Sequence, residues 1–160
     1  RSWFKLSITS DTARWRKFCD AVKTGDAAKV QELFNEFMST SISIRDTCVR
    51  KEMKENFYHD MILGLLQAEG SWAVKSNAES GVGYVDIRLE IPSTRTGCVI
   101  EVKYAEDGRF EETLADAMEQ IEKNGYVEVL KQDGMETIRK YGIACYKKNC
   151  RVAYGLEKNE

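Results

Sequence analysis

The stretch from Glu79 to Lys103 reads ESGVGYVDIRLEIPSTRTGCVIEVK, and it predicts the centre of a β-sheet. Apolar residues occupy every second position from 85 to 91, which is the pattern of an extended strand with one buried face. Asp86 and its polar neighbours at positions 88 and 90 then point to the opposite face. The first half of the stretch therefore predicts a strand that carries charged side chains on one side only.

The second half of the stretch predicts the returning strand of a hairpin. Residues 92–97 contain several turn formers and the single proline of the chain. In the run that follows, Ile100 and Val102 share one face while Glu101 and Lys103 share the other. One face of the hairpin is thus expected to carry an aspartate, a glutamate and a lysine together.

This group of charges has two interpretations. Charged side chains beside a buried sheet are costly unless they are paired or bind a metal ion. One interpretation is a structural ion pair between Lys103 and either Glu101 or Asp86 at a solvated edge of the sheet. The other is a metal-dependent active site. It is favoured by the additional Asp86 on the preceding strand, which follows a Gly81-Val82-Gly83 segment that allows close approach of the backbone.

The same residues carry a resemblance to a known family. Asp86 followed by Glu101-Val102-Lys103 resembles the Asp…(Asp/Glu)-x-Lys signature of the PD-(D/E)XK nuclease superfamily, which has the restriction-endonuclease-like fold. Other segments resemble one bacterial branch, whose nuclease-like domain follows an AAA-ATPase-like domain. These segments are residues 55–59 (ENFYH), 64–66 (GLL), 76–81 (SNAESG) and 120–121 (QI). Two residues depart from the pattern, since Val85 replaces the nominal proline and Tyr84 stands where this branch often has arginine.

The resemblance implies a fold and a set of site residues. The fold would be an α/β/α sandwich with a central mixed sheet. Asp86 and Glu101 would bind Mg²⁺, with Mn²⁺ as a substitute, and further ligands would be the Val102 carbonyl and Glu55. Lys103 would orient or polarise the attacking water. Gln120 would hold a phosphate or a water molecule.

The composition is that of a globular protein with one core: 160 residues, of which 42% are hydrophobic and 31% are charged. No apolar run is long enough to cross a bilayer and the N-terminus has no apolar signal region, which predicts a cytoplasmic protein. The five cysteines lack paired metal-ligand spacing and are expected to be free buried thiols rather than disulfides or zinc ligands. Because the chain begins at Arg1 rather than methionine, we expect a fragment or a processed product.

The net charge is −2, from 24 Lys and Arg residues against 26 Asp and Glu residues. This balance argues against a protein that wraps nucleic acid by bulk electrostatics. It does not exclude a metal-dependent nuclease, because a carboxylate cluster lowers the net charge and a bound cation reverses its sign locally.

Two helices are predicted near the N-terminus. Residues 1–45 are expected to form a helical linker or appendage, and residues 46–160 the nuclease-like domain. Asp11 is a candidate N-cap of a first helix that ends near Gly25, and Asp26 is a candidate N-cap of the second. Both helices carry an apolar stripe at helical spacing, which predicts helix packing and no further role.

A third helix is predicted from about Arg45 to Glu69, with a broad apolar face and Gly70 as its stop. Glu55 and His59 lie four residues apart and therefore on the same side of it. In the superfamily the first core helix often delivers an acidic residue towards the metal, and Glu55 matches that position; otherwise it is a solvated surface residue. His59, the only histidine, is expected to be a partly buried structural residue.

The remaining elements complete an α/β pattern. Further strands are predicted at 72–77, 138–146 and 150–156, and helices at 110–123 and 126–132. Gln120 lies beside the apolar stripe of the longer helix and, without the resemblance, is an ordinary helix residue. Strands in the middle of the chain with helices before and between them predict an α/β sandwich with a mixed sheet.

The functional expectation is a Mg²⁺-dependent nuclease that hydrolyses phosphodiester bonds, in DNA rather than RNA. The alternative is a non-catalytic binding or regulatory module of an AAA-type ATPase domain in the same full-length chain. The set of Asp86, Glu101 and Lys103 argues against the alternative, since a scaffold requires none of them.

Overall fold

A computed structural model describes residues 11–41, 51–78 and 85–160 of the chain. Its centre is one five-stranded sheet with the order β1-β2-β3-β4-β5. The strands are β1 (Ala73–Ala78), β2 (Val85–Ile91), β3 (Thr96–Tyr104), β4 (Thr137–Tyr146) and β5 (Asn149–Lys158). β3 and β4 are parallel, and the other neighbouring strands are antiparallel. The predicted mixed sheet is therefore confirmed.

Helices cover both faces of this sheet. They are α1 (Thr12–Thr24), α2 (Ala27–Ser41), α3 (Lys51–Gln67), α4 (Phe110–Lys123) and α5 (Tyr126–Gln132). The first three pack on one face, and α4 and α5, which connect β3 to β4, pack on the other. The α/β sandwich expected from the sequence is confirmed. In the described ranges, no helix combines the length and the apolar composition that a bilayer crossing requires.

The predicted caps of the first two helices are present. The Asp11 side chain accepts a hydrogen bond from the main-chain N–H of Arg14 at 3.3 Å, and α1 ends at Gly25 with a φ of 83°. This left-handed conformation favours glycine. Asp26 accepts from the main-chain N–H of Lys29 at 3.1 Å and begins α2. Each cap satisfies a helix N–H group that would otherwise lack a partner.

The two N-terminal helices share the core of the sheet. Trp15 of α1 donates a hydrogen bond from Nε1 to the carbonyl of Leu65 at 2.8 Å, which ties α1 to α3. Tyr141 of β4 donates its hydroxyl to the carbonyl of Val22 at 2.6 Å, which ties β4 to α1. The residues 11–41 therefore lie against the sheet and contribute to one continuous core. The division of the chain at residue 45 stays a prediction.

The alternation predicted for the hairpin is also observed. Ile87 lies opposite Ile100 in the β2–β3 ladder, and both side chains are buried in the core beneath α1–α3. Val99, the residue before Ile100, lies in the second core with Ile121 of α4. The two faces of the hairpin thus face different helical layers, and the predicted charged side lies on the face that α4 and α5 cover.

Some element boundaries differ from the prediction. α3 ends at Gln67 rather than Glu69, because the following main-chain hydrogen bonds, from Glu69 to Leu66 and from Trp72 to Glu69, span three residues and tighten the chain into turns. The predicted start of this helix, residues 45–50, lies outside the described residues.

The expected free thiols are confirmed for four of the cysteines. Those that the structure describes are all buried and unbonded to one another: Cys19, Cys98, Cys145 and Cys150. Burial raises the pKa of Cys98 to about 12, which keeps this thiol protonated and unreactive. Cys48 lies outside the described residues.

Candidate active site

Asp86 and Glu101 face each other across the β2–β3 ladder. They are directly opposite in the antiparallel register, where Cβ atoms are typically about 4.5–5.5 Å apart. Both are buried, with 4% of Asp86 and none of Glu101 exposed to solvent. The structure therefore brings the two predicted carboxylates together at one position inside the protein.

Three oxygen atoms of this pair lack a hydrogen-bond partner within the described part of the chain. They are Oδ1 of Asp86 and both carboxylate oxygens of Glu101. Buried polar atoms are nearly always satisfied, because an unpaired one loses its hydration without compensation. Three such acceptors on two adjacent carboxyl groups form a site for a cation or for protons.

The protonation of Glu101 reflects this environment. Its pKa is raised to about 8, first by burial and next by the negative charge of Asp86. The positive charge of Lys103 opposes the shift, while the charge of Glu55 adds a smaller rise. Near neutral pH and without a cation, Glu101 therefore retains a proton.

Glu55 approaches the pair from the opposite helical layer. It lies on α3, is only 5% exposed, and accepts a hydrogen bond at Oε1 from the main-chain N–H of Tyr104 at 3.4 Å. Tyr104 directly follows Lys103 in β3, and the Glu55 charge acts on Glu101. Glu55 is thus buried beside the C-terminal end of β3, near Glu101, rather than solvated.

Val102 and Lys103 follow Glu101 at the end of the hairpin. Among the described residues, the β2–β3 ladder ends at the pair Asp86–Glu101, so Val102 lies just beyond the last β3 residue that pairs with β2 there. Lys103 is half-buried and lies on the same strand face as Glu101, roughly 6.6 Å further along the strand. The lysine is therefore placed at the margin between the buried pair and solvent.

Gln120 lies on α4, the helix that covers this face. Its side chain is half-buried, and Asn124 follows it by four residues and hence on the same side of the helix. Nδ2 of Asn124 lies 3.5 Å from Oδ2 of Asp86. The side of α4 that carries Gln120 is thus directed towards the carboxylate pair, and the role of Gln120 itself stays a prediction.

Asn124 and Tyr126 are neighbours of the site that the sequence did not identify. Oδ1 of Asn124 accepts from the main-chain N–H of Tyr126 at 3.0 Å, which fixes the turn between α4 and α5. Burial raises the pKa of Asp86, and hydrogen bonds from the side chains of Tyr126 and Asn124 oppose that rise. In the sequence Asn124-Gly125 indicates only a helix break, and the one signal of a further role is the spacing of Asn124 from Gln120.

His59 lies in the interior near β1. It is 2% exposed, its Nε2 pairs with Oγ of Ser76 at 2.9 Å, and its Nδ1 pairs with Oδ1 of Asp60 at 3.1 Å. Burial lowers its pKa, although the Asp60 carboxylate opposes that change. These contacts link α3 to β1 and fit the structural role expected for His59.

Part of the sequence pattern falls on residues that the structure does not describe. The residues 79–84, which include Gly81-Val82-Gly83 and Tyr84, lie outside the described residues.

The chemistry of the pair fits a hard divalent cation. Mg²⁺ takes oxygen ligands, usually one or two carboxylates, and keeps several water molecules. Asp86 and Glu101 supply two carboxylates with three oxygens that have no other partner among the described residues. No cluster of three or more Asp, Glu, His or Cys side chains that could hold a metal ion occurs in the described ranges.

The raised pKa of Glu101 predicts that the metal-free protein becomes less stable as the pH rises. The pKa of Glu101 is about 8 in the folded protein and 4.5 in the unfolded protein. Between these two pH values, Glu101 is therefore protonated in the folded protein and ionised in the unfolded protein. Stability is therefore lost as the pH rises from about 4.5 to about 8. Glu101→Gln, which mimics the protonated form, should raise the free energy of unfolding by at least about 1 kcal/mol above pH 8, or roughly 2–4 °C in Tm.

Thermal unfolding in EDTA at several pH values measures this effect. The increase in Tm caused by Glu101→Gln should shrink as the pH falls and vanish near pH 4. A matched control is Glu136→Gln, which removes an exposed carboxylate that pairs with Arg95 on the surface. An increase in Tm that is equal at all pH values would contradict the raised pKa of Glu101.

Comparison with known proteins identifies the family of the chain. A family model of the PD-(D/E)XK nuclease superfamily matches residues 53–154, which is more than half of the chain and includes all of the candidate site residues. No curated protein and no solved structure matches the chain significantly. The five-stranded mixed sheet with helices on both sides is consistent with the restriction-endonuclease-like fold. The match and the fold together show that the chain belongs to the PD-(D/E)XK nuclease superfamily.

Proposed function

We propose that this domain is a Mg²⁺-dependent nuclease that hydrolyses phosphodiester bonds, with DNA as a better substrate than RNA, and that Mn²⁺ can replace Mg²⁺. Membership in the superfamily implies nuclease-type phosphodiesterase chemistry. The observation that carries the proposal is the pair of opposed, buried carboxylates with three oxygens that lack a partner among the described residues. A bound cation would stabilise such a pair, whereas without one the two buried carboxylates carry an uncompensated desolvation cost.

The proposed metal ligands come from two strands and one helix. Asp86 and Glu101 provide carboxylate oxygens, and the Val102 carbonyl provides a main-chain oxygen beyond the end of the β2–β3 ladder. Glu55 provides a third carboxylate, either directly or through water. This set matches the preference of Mg²⁺ for a few protein oxygens and retained waters.

The remaining roles follow from charge and position. A bound Mg²⁺ ion would lower the pKa of a water molecule and relieve the charge on the phosphate. Lys103 would donate hydrogen bonds to the attacking water or to a phosphate oxygen from the solvent side of the pair. Gln120 would hold a phosphate oxygen or a water molecule from α4. The protein groups would thus position the reactants and stabilise developing negative charge.

The test of this function is cleavage of a mixed substrate panel. We expect wild-type protein to cut single- or double-stranded DNA in Mg²⁺ or Mn²⁺, to cut RNA more slowly, and to cut nothing in EDTA. Asp86→Asn protein, purified in parallel, serves as the control for nucleases that copurify. Metal binding without cleavage of any nucleic acid would contradict the proposal.

The second candidate is a non-catalytic module attached to an ATPase domain. It is favoured by the superfamily match itself, because the superfamily can include non-catalytic members. A titration with Mg²⁺ and Mn²⁺ separates the two candidates. Failure to bind either metal at millimolar concentration would favour the module.

Two substitutions on α3 should have different effects. Glu55→Gln should strongly reduce cleavage, because it removes a charge near Glu101, and should leave the fold intact. His59→Gln should mainly lower Tm, because it weakens the contact with Ser76 that links α3 to β1. Measuring turnover and Tm for both variants tests this, and equal losses of turnover in two well-folded variants would place His59 in the site.

The cellular setting is proposed on the same basis. Four buried cysteines remain unpaired among the described residues, which fits a reducing compartment such as the cytoplasm. The proposed partner in the same full-length chain is an AAA-type ATPase domain.

A further inference from the structure

A second feature lies beside the carboxylate pair on the same face of the sheet. Lys75, Ser76, Arg88 and Tyr126 line a cleft of about 220 Å³. Lys75 and Arg88 are directly opposite each other in the β1–β2 ladder, so both side chains lie on one face. Arg88 is two residues after Asp86 and therefore shares its face, roughly 6.6 Å along the strand.

Among the described residues, no carboxylate is in direct contact with the two cations of this cleft. Within the described part of the chain, neither Lys75 nor Arg88 forms an ion pair or a side-chain hydrogen bond. The guanidinium of Arg88 lies over the ring of Tyr126, 5.4 Å from its centre. This cation–π contact is not a hydrogen bond, so it does not occupy the N–H donors of the guanidinium as an ion pair would.

Tyr126 connects the cleft to the carboxylate pair. Its side chain hydrogen bonds to Asp86 while its ring supports Arg88. A ligand held by Arg88 is therefore next to a ligand held by Asp86. On the far side, Glu90 hydrogen bonds to Asp133, which places negative charge beyond Arg88.

We propose that this cleft binds a backbone phosphate of the nucleic-acid substrate next to the phosphate that is cut, with Lys75 and Arg88 as its ligands. This inference rests on the proposed function and specifies how that site holds its substrate. The planar guanidinium offers two parallel N–H donors to the phosphate oxygens, and the lysine adds a second positive charge. The substrate strand then runs from the carboxylate pair across β2 towards the edge strand β1.

The competing explanation is purely structural. Lys75 and Arg88 both lie near enough to Glu90 to affect its pKa through their charges. They could thus serve only to balance Glu90 and Asp133. On this explanation their removal would alter stability and leave the affinity for nucleic acid unchanged.

The test measures binding and cleavage separately. Lys75→Gln, Arg88→Gln and the double variant are compared with wild-type protein by fluorescence anisotropy, using a short labelled oligothymidine with Ca²⁺ in place of Mg²⁺ and checking that the probe stays intact. The matched control is the double variant Arg95→Gln/Lys29→Gln. It removes the same charges from an exposed turn at the other end of the hairpin and from α2 on the opposite helical layer.

Each substitution should weaken oligonucleotide binding roughly tenfold, the usual effect of one charge-assisted hydrogen bond. The slope of log affinity against log salt should fall by about 0.7 for each lost phosphate contact. Tm, metal affinity and the binding of the control should stay near wild-type values. With Mg²⁺, the variants should show a raised KM with a much smaller change in kcat.

The outcomes separate this inference from the nuclease assignment. A double variant that binds with wild-type affinity and salt dependence overturns the phosphate site, even if the protein cleaves. Wild-type protein that binds oligonucleotide through Lys75 and Arg88 but never cleaves it supports the phosphate site and overturns the nuclease proposal. Wild-type protein that binds no oligonucleotide overturns both. Lys75 is exposed on an edge strand, so Lys75→Gln remains a valid test if Arg88→Gln fails to fold.

Discussion

Replacing Lys103 with alanine should lower the cleavage rate by about 10²- to 10⁴-fold while metal remains bound. The proposed interaction of this lysine with the water or the phosphate strengthens as negative charge develops, so its loss falls mainly on kcat. Metal affinity should stay the same or rise, because Lys103 places a positive charge beside the cation. Lys103 also lowers the pKa of Glu101, so the loss of that effect acts in the opposite direction and limits the rise. Single-turnover cleavage and metal titration measure the two effects separately.

The matched control for this variant is Lys158→Ala, an exposed lysine on β5 whose side chain hydrogen bonds to Thr137. It should cleave at the wild-type rate. If Lys103 were only the partner of a carboxylate, Lys103→Ala would lower Tm in EDTA and recover normal cleavage once metal restored the missing charge. A well-folded Lys103→Ala protein that binds metal and cleaves at a near-normal rate would contradict the proposed role.

Asp86→Asn is the second substitution with a large expected effect. It keeps the size of the side chain and removes one of two charges that face each other in the interior. We expect metal affinity and cleavage to fall by at least about 10²-fold, since even residues that only support metal ligands contribute up to that amount. In EDTA, Tm should be unchanged or higher, because the charge of Asp86 is one cause of the raised pKa of Glu101.

The control for Asp86→Asn is Asp60→Asn, which removes an exposed aspartate from α3. Its effect on metal affinity and cleavage should be small. If Asp86→Asn unfolds while its metal affinity is unchanged, Asp86 has a structural role and the site has been misassigned.

The local structure of this chain is largely readable from its sequence. The helices α4 and α5 have the predicted bounds, because turn residues at 108–109 and at Asn124-Gly125 separate them from their neighbours. The face of each strand is also predictable, because alternation alone separates Ile87 from Asp86. These features depend on residues that are close in sequence.

The sheet order and the details of the site depend on distant residues. Nothing in the alternation of β3 and β4 specifies that they are parallel neighbours, although the helices between them favour that arrangement. The contact of Trp15 with Leu65 spans fifty residues and could not be predicted from either helix alone. It is this packing that places the N-terminal helices against the sheet.

The carboxylate pair was predictable as a group on one face, but its environment was not. The sequence cannot show that three oxygens of Asp86 and Glu101 lack partners in the described ranges, since that depends on what α4 and α5 leave uncovered. Arg88 could be placed on the face of Asp86, yet its contact with the ring of Tyr126 requires α5 to be in position. The cleft therefore emerges only from the folded structure.

The central claim is that Asp86 and Glu101 together bind a divalent cation. The most direct measurement is calorimetric titration of wild-type protein with Mg²⁺ and with Mn²⁺ near pH 7, in two buffers of different ionisation enthalpy. We predict saturable binding that releases protons, because Glu101 has a pKa of about 8 and must lose its proton to act as a ligand. Glu101→Gln should abolish both the binding and the proton release. The absence of saturable binding of either metal at millimolar concentration would contradict the claim.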